Sequence, residues 1–142
     1  TDNEMLNAIL GFLNSKCSAS GITLRTNVMS SDISHFSAAD ISVILTNLTT
    51  NAIEASVRSH GEEILLELSV LRNYYCIKVS NHIERSVLES NPTLKTTKQD
   101  KASHGFGVES VKLLAKKYDG MASFYEKNEK FTADIWLKLS DS

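Results

Sequence analysis

Asparagine is a poor helix former, yet Asn47 and Asn51 both fall inside a stretch, Ile41 to about Arg58, whose apolar residues recur at helical spacing. A separation of four residues sets both amides on one helix face, and Glu54, three beyond Asn51, extends the same polar stripe. Two readings of the stripe stand side by side: solvated surface amides, or a magnesium and phosphate site. Mg²⁺ takes one or two protein oxygens, keeps several waters and completes its shell with a substrate's phosphates. A neutral amide oxygen can join that shell without adding negative charge beside a polyphosphate.

A second group follows at His104-Gly105-Phe106-Gly107-Val108, where a polar stretch meets another helical pattern. Two glycines around one residue let backbone come close to a ligand, and the free N–H groups of a helix start offer the positive end of its dipole to phosphate. Just before it, Lys95, Lys98 and Lys101 lie in a loop, either solvated or folded over phosphates as point charges. No G-x-x-x-x-G-K-[ST] run occurs, and no strand leads directly into Gly105, so neither a Walker loop nor a Rossmann turn is present. His35, His60 and His82 show no metal-ligand spacing.

The elements that must position these residues can be read from periodicity. Met5, Leu6, Ile9, Leu10 and Leu13 predict a first helix from Glu4 to about Cys17, and Ile22, Leu24 and Val28 an alternating strand. Ser37 with Asp40 has the form of a capping box opening the helix of Asn47 and Asn51. Two strands, marked by Ile64, Leu66 and Leu68 and by Tyr75, Ile77 and Val79, are predicted to form a hairpin at Arg72-Asn73. After a long polar connection, about 81–103, Val108, Val111, Leu114 and Ala115 predict a third helix ending near Tyr118, with Gly120 placed to cap it. Strands at 121–126 and 130–139 close the chain, and helices segregated from antiparallel hairpins predict an α+β sandwich with helices on one face of one sheet.

With 142 residues and 42% hydrophobic content, one domain covering 1–142 is expected, without disulfide or metal staples. A net charge of −2 gives no general attraction for nucleic acid or an anionic membrane. Cys17 and Cys76 sit in apolar patterns and read as packing, which fits a reducing compartment. No run approaches the ~18 apolar residues of a membrane span. The opening Thr1-Asp2-Asn3-Glu4 reads as an internal start, so a piece of something longer is expected; a cytoplasmic location and a membrane-bound parent are expected as well.

In order and spacing the motifs resemble the ATPase superfamily of gyrase, heat-shock chaperones, histidine kinases and mismatch-repair ATPases (GHKL). NLTTNAIEAS looks like its N box, HGFGVESVKLLAKKYDG like its G2 box, and TTK lies where its lid contacts phosphate. The form Asn51-Ala52-Ile53-Glu54-Ala55 is most similar to sensor histidine kinases of the peptide-pheromone (quorum-sensing) and dicarboxylate-sensing types.

The resemblance implies a Bergerat-type two-layer sandwich, with one mostly antiparallel mixed sheet, about three helices on one face and a long ATP lid. It implies ATP and Mg²⁺ as ligands, with Asn51 the principal Mg²⁺ ligand, Asn47 a phosphate or metal-shell contact, and Lys98, His104, Gly105, Phe106 and Gly107 around the phosphates. The place of the adenine-reading aspartate is taken by Asn81, and the usual G1-box glycines are missing there. Modest ATP affinity is therefore expected. Hydrolysing relatives carry a glutamate base where Asn47 stands, so the amide favours phosphoryl transfer over hydrolysis. The implied partners are a separate dimerisation domain bearing the acceptor histidine and, indirectly, a cognate response regulator; this chain alone is expected to bind nucleotide without autophosphorylating. A degenerate regulatory module of the same fold and an anti-sigma-type serine kinase are the alternatives.

Overall fold

The computed structural model describes residues 1–84 and 107–139. Helix α1 spans Glu4–Ala19 and β1 Thr23–Val28; α2, Ala38–Arg58, leads to the hairpin β2, Glu63–Leu71, and β3, Tyr74–His82. Helix α3, Gly107–Lys117, is followed by the hairpin β4, Met121–Lys127, and β5, Lys130–Lys138. The strands form one five-stranded sheet in the order β1-β2-β3-β5-β4. Only β1 and β2 run parallel, with α2 as their crossover; every other neighbouring pair is antiparallel. This is the expected α+β sandwich, with three helices among the described residues.

Alternation decides which face of the sheet is covered. Ile64, Leu66 and Leu68 of β2, Tyr75, Ile77 and Val79 of β3, and Ala133, Ile135 and Leu137 of β5 all point into a single core, in register across the strands. Helix α1 packs on β1, α2 on β2 and β3, and α3 on β4 and β5. The apolar stripe of α2 (Ile41, Ile44, Leu45, Leu48, Ala52 and Ile53) fixes its rotation, and so turns Asn47 and Asn51 away from the sheet. Both cysteines are free and buried, and burial pushes both thiols up, in keeping with a packing role.

The predicted start of α2 forms with one change of partner. The Ser37 hydroxyl accepts from the Asp40 N–H at 3.3 Å, as a capping box requires. The reciprocal bond is made by another residue: the Ser37 N–H donates to the Tyr118 hydroxyl at 3.1 Å, and that hydroxyl donates to Asp40 Oδ2. Aspartate is one methylene shorter than the glutamate of the usual box, and the phenol bridges the remaining gap.

The end of α3 also differs in detail. The left-handed residue that stops it is Asp119, at φ 52°, and Gly120 donates its N–H to Ala115 O at 2.8 Å. Gly120 is required for a different reason: a β-carbon there would lie 1.7 Å from the carbonyl oxygen of Trp136. The α3–β4 junction is thus pressed against β5.

Candidate functional site

Helices α2 and α3 lie side by side and run in opposite directions. At one end, Lys117 Nζ of α3 sits 2.7 Å from Asp40 Oδ2 in the first turn of α2. At the other, the β-carbon that Gly107 lacks would stand 3.6 Å from Asn47 Oδ1 and 3.8 Å from Asn47 Cβ. The first residue of α3 therefore abuts the Asn47 amide, and the positive end of the α3 dipole meets the polar stripe of α2. Asn47 and Asn51 are each half-buried, one helical turn apart on the same side.

Asn81 lies on β3 between Ile64 and Phe131, on the helix-covered face with Tyr75, Ile77 and Val79. It is 2% exposed. Its Nδ2 donates to the His82 carbonyl at 3.1 Å, which fixes the amide so that Oδ1 is left as a buried acceptor with no partner among the described residues. A buried acceptor without a donor is destabilising by about 1 to 3 kcal/mol. A ligand amino group reaching this oxygen would relieve that penalty, which is the chemistry adenine presents.

Two further buried oxygens, Thr49 Oγ1 and Ser56 Oγ, also have no partner among the described residues, and both belong to the buried side of α2. They are absent from the residues that spacing singled out. Their signal was legible: hydroxyl residues at positions where the helical period of α2 demands apolar ones.

The structure thus brings Asn47 and Gly107 together, sets Asn51 on the same stripe, and buries Asn81 beneath the helix layer. Lys98, His104, Gly105 and Phe106, with the rest of the lysine-bearing loop, lie outside the described residues. Among the described residues no three His, Cys, Asp or Glu side chains group as a metal site. No helix among them is long and apolar enough to cross a membrane.

Residues 36–138 match a family described as "GHKL domain". No curated protein is similar in sequence. Among solved structures, the chain is similar to the nucleotide-free catalytic domain of histidine kinase ThkA, with TM-score 0.75 and 18% identity over 96% of this chain and 93% of that one. It is also similar to the histidine kinase AdeS of Acinetobacter baumannii, with TM-score 0.71 and 14% identity over 96% of this chain. This chain spans 64% of AdeS. A histidine kinase of Burkholderia phymatum gives TM-score 0.68 and 18% identity over 96% of this chain and 68% of that one.

Proposed function

The chain belongs to the GHKL domain family, and from that premise we propose that it is the ATP-binding catalytic domain of a two-component sensor histidine kinase, passing the γ-phosphate of ATP to a histidine on a separate dimerisation domain. The observation that carries this reading is the approach of Gly107 to Asn47, which joins the expected phosphate-binding helix start to the expected metal-binding stripe. Asn81 supports the adenine end, with a fixed and unpaired acceptor where the exocyclic amino group of the base would dock.

In this reading Asn51, aided by Asn47, holds Mg²⁺, which would neutralise charge on the phosphates. The start of α3 orients the terminal phosphates through backbone N–H groups. Lys98, His104, Gly105 and Phe106 complete the phosphate end. Asn47 has no proton-accepting carboxylate, so water near the γ-phosphate stays unactivated and transfer to a histidine is favoured over hydrolysis. Catalysis then rests on positioning. The acceptor domain, the response regulator and a membrane-bound parent with a pheromone or dicarboxylate input belong to the same proposal, the last on the N-A-x-E-A form of the N box.

A degenerate regulatory module is the second reading. One observation favours it: Ile83, the residue that follows β3, is only 6% exposed and stands where relatives carry a G1-box glycine. Thermal unfolding separates the two, because a ligand specific for the folded state must stabilise it. Millimolar ATP with Mg²⁺ is expected to raise the midpoint, and Asn51→Ala is expected to lose the Mg²⁺-dependent part. No shift for the wild type would leave the degenerate module standing.

A further inference from the structure

The capping box of α2 is completed by a residue 81 positions away. Tyr118, immediately after α3, accepts from the N-cap N–H of α2 and donates to Asp40, while Lys117 pairs with the same carboxylate oxygen. The Tyr118 ring stands edge-on to Phe36 with centroids 5.0 Å apart, and its carbonyl accepts from the Lys138 N–H of β5 at 2.9 Å. Asp40 is well enclosed, its side chain 17% exposed. Tyr118 therefore ties three places together: its phenol joins the end of α3 to the start of α2, and its backbone carbonyl holds the end of β5.

The position of this clasp matters more than its strength. Asp40 precedes Asn47 by seven residues, about 10 Å along α2, and Gly107 precedes Lys117 by ten, about 15 Å along α3. With the helices antiparallel, a bond fixed at the Asp40 end sets the angle at which α3 meets the Asn47 end. The spacing between the Asn47 amide and the α3 start is the quantity that phosphate binding depends on. The adenine end is set separately, by Asn81 on β3.

We propose that Asp40 and Tyr118 are positioning residues for the phosphate end of the nucleotide site, acting through the α2–α3 angle and touching no ligand. The inference rests on the nucleotide-binding reading above. It separates two ends of one ligand: loosening the clasp weakens the hold on the triphosphate and leaves the hold on the base.

The experiment compares wild type, Tyr118→Phe and Asp40→Asn, binding ATP with Mg²⁺ by calorimetry and adenosine by ligand-observed NMR. Tyr118→Phe keeps the ring against Phe36 and removes only the hydroxyl, so it serves if Asp40→Asn folds poorly. Both variants are expected to bind ATP with Mg²⁺ roughly three- to tenfold more weakly, the effect of about one hydrogen bond, with adenosine unchanged. Equal weakening of ATP and adenosine shows a merely structural role and overturns the proposal, as does unchanged ATP binding. A wild type that binds neither overturns the nucleotide reading itself, an outcome separate from the other two.

Discussion

Asn47 Oδ1 lies 3.6 Å from where a β-carbon on residue 107 would stand. That is ordinary van der Waals contact, and Gly107 does not occupy the left-handed region, so alanine fits without strain. Gly107→Ala is expected to unfold at the same or a higher temperature, with a gain of up to about 1 kcal/mol from helix propensity. Its methyl group would cover the amide oxygen and the start of α3, so ATP affinity is expected to fall at least about tenfold. Thermal melts paired with calorimetric titration check both; unchanged affinity would remove Gly107 from the site.

Relatives place an aspartate where Asn81 stands, yet restoring it is expected to be harmful. A carboxylate in place of the amide would lack the donor that now meets the His82 carbonyl at 3.1 Å and would bury a charge at a position only 2% exposed. Asn81→Asp is expected to lose about 1 to 3 kcal/mol at pH 7. Burial would raise the pKa of the new carboxyl, so the penalty appears as pH rises through about 4 and is smaller at pH 5 than at pH 8. Urea unfolding at the two pH values measures the difference, and equal stability of variant and wild type would show that the amide orientation is unimportant.

Much of this arrangement was legible in the chain before folding was considered. The helix of Asn47 and Asn51, its Ser37 cap, the Arg72-Asn73 hairpin and the strand alternation follow from local periodicity and turn chemistry, and the structure has them all. The Tyr118 bridge to Ser37 was not legible, because it joins residues 81 apart and depends on how α3 lies on α2. Gly120 read as a cap because glycine commonly ends helices. Its actual constraint, the Trp136 carbonyl, comes from a strand that pairs with β4 later in the chain. The orientation of the Asn81 amide depends on its neighbour's carbonyl, which no residue pattern reveals.

The Lys117 ammonium, and after it the Tyr118 hydroxyl, hold Asp40 below the usual carboxylate range. A carboxylate whose pKa falls on folding stabilises the fold above its unfolded value, near 3.8, and this contribution is lost as pH drops through the lower folded value. Lys117 is 57% exposed, so the ion pair itself contributes little and the contribution is expected to be small. Denaturant unfolding of wild type and Asp40→Asn is expected to show a stability gap at pH 7 that narrows as pH falls through the lowered folded value of Asp40. A gap independent of pH would mean that the carboxylate charge is irrelevant.

Gly120→Ala adds one methyl group and is expected to be the most damaging of these changes. The new carbon would stand 1.7 Å from Trp136 O and 2.7 Å from Trp136 C, both backbone atoms in a paired strand that cannot turn aside. A loss of at least about 3 kcal/mol is expected in thermal or urea unfolding. A near-neutral result would mean that the α3–β4 junction moves freely away from β5.

The parallel pairing of β1 with β2 bears on the order of assembly. Leu71 and Tyr74 meet across a two-residue turn, whereas Thr23 and Glu63 pair at a separation of 40 residues (63 minus 23) with α2 between them. Closing the longer loop loses more chain entropy before any contact repays it, so the hairpins are expected to form early and β1 to dock late. Helix α2, which carries Asn47 and Asn51, is the crossover between these two strands and packs on β2 and β3. In refolding, the antiparallel hairpins would thus form before the crossover that carries the Asn47 and Asn51 stripe is closed.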